Sequence, residues 1–165
     1  MRTLANNQWS SRFHPISISY NSNVWNLIPH AHDGEDGVLF GVMDFNNGAS
    51  FGFDLSYPSP DEYFEYEHGE AEYFSRLFNV DNNVIELEKF KLAISNIEFR
   101  CAAYLFNNRK FGVQHLIRGM YIGESVVMGM NMAWTPHLST KGGVTIPPKL
   151  QFFIDNMVLG SNTGA

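Results

Sequence analysis

The sequence predicts an α+β domain: a mostly antiparallel sheet of about six or seven strands with two or three helices. Three observations carry this expectation. Apolar residues alternate with polar ones at period two in several stretches. Short turn-forming pairs join neighbouring stretches, so the strands meet as hairpins rather than through helical crossovers. Two proline-led segments, near 60–78 and 148–159, carry apolar residues at helical spacing.

At 165 residues, with 44% apolar and 15% aromatic residues, the chain can bury one core without disulfides or structural metals. A single globular body is expected over 12–160. Residues 1–11 and 161–165 are polar and are expected to be flexible tails.

Within the body, Phe13, Ile16, Ile18 and Tyr20 interleave with serines as in a half-buried strand, and Val24 to Ile28 makes a short second one. Val38 to Phe45 and Ala49 to Tyr57 flank Asn47-Gly48, a pair suited to a type I′ hairpin with Asn46 opposite Ala49. That register gathers Val38, Phe40, Val42, Phe51, Phe53, Leu55 and Tyr57 on one face. Ser59 and Pro60 then open an acidic helix over 60–78, with Asp61 and Glu62 at its positive dipole end and Gly69 interrupting it. Asp81 to Ile94 fits either helix or strand. Ile97 to Phe106 and Phe111 to Ile117 read as strands around Asn107-Asn108, and the glycines at 112, 119, 123 and 129 argue against a long helix. Met128, Met130, Met132 and Trp134 share one strand face and are expected in the core. Pro147-Pro148 opens the last helix, whose apolar stripe is Leu150, Phe153, Ile154 and Met157, with Gly160 at its end.

The net charge of −6 is unevenly distributed. Residues 1–88 hold 14 acids and three bases, whereas residues 89–165 hold eight bases and three acids. A strongly acidic first half repels phosphate backbones and attracts basic partners, unless the fold mixes the two halves. No apolar run approaches the roughly 18 residues of a membrane span. The N-terminus lacks the apolar core of a signal peptide. The lone cysteine, Cys101, suits a reducing compartment, so a cytoplasmic location is expected. Cys101 lies in an apolar strand pattern and is expected in the core rather than at a reactive site. No nucleophile elbow, phosphate-binding loop or cofactor motif is present, and no cofactor is expected.

Two clusters remain as candidate sites. In Pro29 to Gly37, His30 and His32 stand two apart on an extended segment and point the same way, with Asp33 and Asp36 beside them as further metal ligands. The cluster resembles the His-x-His-x-Asp-His motif of metallo-β-lactamase-like hydrolases, but Gly34 and Glu35 stand where Asp and His are required. It also resembles the cupin His-x-His, with too short a downstream spacing to Glu35 and Gly41. The competing reading is a polar turn before the hairpin.

The second cluster is acidic and aromatic. Between Asp61 and Arg76 stand six carboxylates and five large aromatics, some of which the core must claim. The expected partner-binding set is Asp61, Glu62, Glu65, Tyr66, Glu67, Glu70 and Tyr73: tyrosine supplies contact area at low entropy cost, and the carboxylates steer a basic protein. In size, acidity and absence of motifs, the chain is similar in type to bacterial immunity proteins. That likeness implies a non-enzymatic protein that covers a nuclease-like toxin. The alternatives are a phage-encoded inhibitor mimicking nucleic-acid charge, and a metal-dependent enzyme or small-ligand binder centred on His30 and His32.

Overall fold

The structure is a computed structural model and describes residues 5–57, 85–135 and 145–160. Eleven strands and one helix make up the described chain: β1 (Asn7–Ser10), β2 (Ile16–Tyr20), β3 (Asn26–Leu27), β4 (His32–Gly34), β5 (Gly37–Asp44), β6 (Ala49–Ser56), β7 (Ile85–Ile94), β8 (Ile97–Asn108), β9 (Gly112–Ile122), β10 (Val127–Trp134), α1 (Pro148–Asn156) and β11 (Val158–Leu159). Of the described residues, 61% are strand and 8% helical, which corrects the expected α+β class to a mostly antiparallel β fold with a single helix. From Ile85 the ambiguous stretch before Ile94 is strand β7, because it pairs with β8 from Ile97 to Leu105, with one bulge between Glu86 and Glu88. The expected acidic helix near 60–78 lies outside the described residues.

Eight strands form one antiparallel sheet in the order β3-β5-β6-β10-β9-β8-β7, with β4 also pairing along β5. The remaining three, ordered β1-β2-β11, form a small second sheet. Asn7 to Ser10 therefore pairs in register with Tyr20 to Ser17, rather than trailing as part of a flexible tail. Phe13, outside the ladder, is 45% exposed, whereas Ile16, Ile18 and Tyr20 point inward.

The core lies between the inner face of the large sheet and a cover made of the small sheet and α1. Phe40, Phe53 and Met130 are neighbours on β5, β6 and β10, all at 0% exposure. Trp9 of β1 and Tyr20 of β2 cap Phe40 at ring-centroid distances of 5.3 and 6.1 Å. From the helix, Phe153 stacks on Phe51 at 4.5 Å with the rings 4° apart. The methionine face of β10 is core, as expected: Met128, Met130, Met132 and Trp134 are all inaccessible. Cys101 is buried too, and burial pushes its thiol up to about 12.

The β5–β6 hairpin keeps the expected inward set except Tyr57, which is 44% exposed, and it does not keep the expected turn. Asp44 pairs with Ala49, leaving a four-residue loop over 45–48. A register offset of two preserves which residues face the core, so the apolar face survives the error. The cause is Asp44: its carboxylate accepts hydrogen bonds from the backbone N–H groups of Asn46 and Asn47 and from the Asn47 amide, which closes the loop early. Gly48 alone in that loop takes a left-handed conformation, φ +62°. The two-residue turn with both residues at positive φ falls instead at Ser95-Asn96, where Ile94 pairs with Ile97. Ser95 then receives the N–H of Leu159 and donates to its carbonyl, fastening β11 to the β7–β8 turn.

Helix α1 starts at Pro148, as the paired prolines require, and ends at Asn156 rather than 159. Val158 and Leu159 leave it because they pair with Ser17 and Ile16 of β2. On its first turn, Lys149 forms an ion pair with Asp44, which is 1% exposed. Burial alone would raise the Asp44 pKa. The Lys149 and Asn47 hydrogen bonds and the Lys149 charge outweigh it and leave the carboxyl below the ordinary value of 3.8.

A group whose folded pKa is depressed stabilises the fold above its unfolded pKa and loses that contribution as pH falls through the folded value. We therefore expect Asp44→Asn to cost about 1.5–3 kcal/mol at pH 7. The deficit should shrink as pH is lowered below 3.8 toward the depressed value, read by urea unfolding across that range.

Candidate functional site

At one end of the large sheet, the β4–β5 turn brings together residues far apart in sequence. Gly34 pairs with Gly37 across the turn, and Gly37 pairs with Ser56 at the end of β6. Glu35 and Asp36 project from the turn into solvent. The β9–β10 turn lies alongside, because Val127 pairs with both Ser56 and Ile122, and it adds the exposed Glu124. Arg12, exposed and set over the Phe13 ring at 5.8 Å, is a base in the same corner.

Three of the four residues expected to gather a metal are engaged in other ways. The two carboxylate oxygens of Asp33 accept from the Ser11 hydroxyl at 2.6 Å and the Arg12 backbone N–H at 2.8 Å. His32 Nε2 and Asp36 Oδ1 pair at 3.0 Å, and that hydrogen bond is the main cause holding the exposed Asp36 carboxyl below its ordinary value. His30 stands exposed on the loop before β4. Among the described residues no group of three metal-ligating side chains converges. The geometry is that of a clasp holding the segment before β2 against the β4–β5 turn.

His14 completes the clasp, and its tautomer follows from its partners. A carbonyl only accepts, so Nε2 must carry the proton that it donates to Gly34 O at 2.9 Å. In the neutral ring Nδ1 is then bare and accepts from the Tyr57 hydroxyl at 3.1 Å. Ser11, His14 and Tyr57 were not singled out from the sequence. They lie 20 to 43 positions from their partners, and no local spacing links them.

The expected partner-binding residues, Asp61, Glu62, Glu65, Tyr66, Glu67, Glu70 and Tyr73, lie outside the described residues. The chain enters that segment directly after Tyr57, beside the acidic turn.

The outer face of the large sheet holds a second group absent from the sequence reading. Asp54 on β6, Asn131 on β10 and Arg118 on β9 are half-buried on adjacent strands. Asp54 lies flat over Gly129 and Asn131 over Gly52. A methyl group built on those glycines would come within 2.6 Å of the Asp54 carboxylate and 2.8 Å of the Asn131 amide. Burial raises the Asp54 pKa, and the Arg118 charge only partly offsets it. Elsewhere His115 stacks on Trp134 at 5.4 Å, and its buried Nδ1 has no hydrogen-bond partner among the described residues. Desolvation lowers its pKa and keeps the ring neutral.

No known protein family matches the chain, and no curated protein matches it. Among solved structures there is a distant likeness to a crystal structure from Bacteroides thetaiotaomicron VPI-5482 at 1.50 Å resolution, with a TM-score of 0.45 and 13% sequence identity. The alignment covers 89% of this chain and 46% of that one, so this chain spans about half its length. No helix among the described residues is long and apolar enough to cross a membrane.

The raised Asp54 pKa predicts its own pH dependence. The folded state holds that proton more tightly than the unfolded chain does, so stability falls as pH rises from 3.8 through the raised value. Asp54→Asn should remove that fall and raise the melting temperature at pH 8 by about 2–5 °C. Matched thermal melts at pH 4 and pH 8 check it.

Proposed function

We infer that this chain is a binding protein that neutralises a basic protein partner, docking it against the acidic end of the large sheet. The observation that carries the reading is the charge layout. The strand order keeps β3 to β6 on one side of the sheet and β7 to β10 on the other, so the described strands up to residue 56 are not interleaved with those after residue 85. At the end of the sheet where β6 finishes, Glu35, Asp36 and Glu124 are exposed together. The chain passes from there into residues 58–84, which hold seven acids and one base.

A surface of this kind accelerates encounter with a cationic protein through long-range attraction and repels nucleic acid. Tyr66 and Tyr73 would supply apolar contact area beside Asp61, Glu62, Glu65, Glu67 and Glu70. The most concrete form is an immunity protein that covers the cleft of a nuclease-like toxin. Such a cleft is basic because it must hold a phosphate backbone.

Affinity capture from the native host, with the wild-type chain and a Glu62→Lys/Glu65→Lys/Glu70→Lys variant as baits, tests the reading. The wild type should retain a basic protein at low salt, and the variant should lose it while keeping the same circular dichroism spectrum. With the partner purified, association should slow about tenfold or more in the variant, and in the wild type as salt rises. Equal capture by both baits, or association insensitive to salt, overturns the reading.

A further inference from the structure

At the opposite end of the β5–β6 hairpin from the acidic corner, the 45–48 loop meets the β8–β9 turn. Between them lies a cavity of about 160 Å³. Its walls are Met43, Ser50, Phe106, Phe111, Leu116 and Ala133. The frame is held by hydrogen bonds rather than by apolar contact alone. Gln114, 2% exposed, donates to the Gly48 carbonyl and to the Thr135 hydroxyl, and accepts from Asn108 Nδ2 at 3.3 Å. Asn108 Oδ1 in turn receives the backbone N–H groups of Lys110 and Phe111 at 2.8 and 3.1 Å, which sets the Phe111 ring in the wall. Gly48 is required beneath that ring, since a methyl group there would lie 2.7 Å from it.

A cation, Lys110, stands beside the Phe111 wall. Arg109 and Lys110 are both exposed on the β8–β9 turn, and the Lys110 ammonium sits 5.2 Å from the Phe111 ring centroid and 5.4 Å from that of Phe45. The nearby Asp44 carboxylate is already paired with Lys149 and does not neutralise them. Inside, the Ser50 hydroxyl makes no hydrogen bond with a described residue, so a polar atom is available on the wall.

We propose that this cavity binds a small carboxylic acid carrying one aromatic ring, with the ring between Phe106, Phe111 and Leu116 and the carboxylate at Lys110. The size sets the class: a cavity of about 150 Å³ admits benzene, whereas drug-sized ligands occupy about 300–1,000 Å³. The aromatic walls favour a ring over a sugar or a nucleotide, and the Lys110 ammonium beside the Phe111 wall selects an anionic head. The cavity lies at the far end of the hairpin from the surface proposed for the basic partner, so the two proposals stand or fall separately.

Titrating ¹⁵N-labelled protein with phenylacetate, followed by amide chemical shifts, tests the site. Saturable shifts should be confined to Ser50, Phe106, Phe111, Ala133 and their neighbours. Phenylacetamide, the neutral counterpart, should bind about fivefold more weakly, and Lys110→Glu should weaken phenylacetate by about the same factor. Ala133→Leu fills the cavity and should abolish the shifts. Should that variant not fold, Lys110→Glu, which touches no core residue, decides. The proposal is overturned by shifts elsewhere on the sheet, by no saturation at millimolar phenylacetate, or by equal affinity for the acid and the amide.

Discussion

Phe40, Phe53 and Met130 lie side by side on three neighbouring strands, wholly inaccessible, and every other layer is arranged to cover them. A sheet of eight strands presents more apolar area than its own edges can hide, and leaving that area in water costs about 25 cal/mol per Å². The small sheet contributes Trp9, Ile18 and Tyr20, and the helix contributes Leu150, Phe153 and Ile154. The stacked Phe51–Phe153 pair joins the helix to the sheet at the centre of that contact. The short strand β11 exists because the chain leaving the helix must run along β2 to close the cover.

Polar interactions act mainly as fasteners around this core. The Asp44–Lys149 pair holds the helix start to the hairpin end. Asp33, Ser11, His14 and Tyr57 clasp the chain before β2 to the β4–β5 turn. Gln114 and Asn108 lock the 45–48 loop to the β8–β9 turn. Each tie lies at an end of the sheet, where backbone groups run out of ladder partners. The consequence for function is that both ends are preorganised and differ in charge. One presents Glu35, Asp36 and Glu124 with Arg12 beside them, and the other presents Arg109 and Lys110 on the β8–β9 turn, with Lys110 against an aromatic cavity wall.

Much of this was legible in the residue pattern, for a specific reason. Period-two alternation reports which side chains face the core, and it is insensitive to register shifts of two. The inward sets of β2, β5, β6 and β10 are therefore as expected even though the Asn47-Gly48 turn is not. The helix at Pro148 was visible because proline at the first turn is a local requirement. Whether residues 85–94 are helix or strand was not legible. Leu87, Phe90 and Ile94 satisfy helical spacing as well as a strand does, and only pairing with β8 settles the choice.

The histidine cluster shows the same division from the other side. Spacing placed His30, His32, Asp33 and Asp36 within one short segment, but spacing cannot say what each side chain will meet. Ser11 and the Arg12 amide, brought from the chain before β2, occupy Asp33, and Asp36 turns back onto His32. The cavity residues Ser50, Phe106, Phe111 and Ala133 come from three separate hairpin strands and a turn, with no local signature in common. By itself the sequence determined which residues are inward, where turns and a helix start are allowed, and how the charge is divided along the chain. Those properties depend on neighbours a few positions apart. Only the tertiary structure decided the strand order, the clasp and the cavity. Each of these depends on which distant strands pair, and that choice follows from covering one apolar face as completely as the whole chain permits.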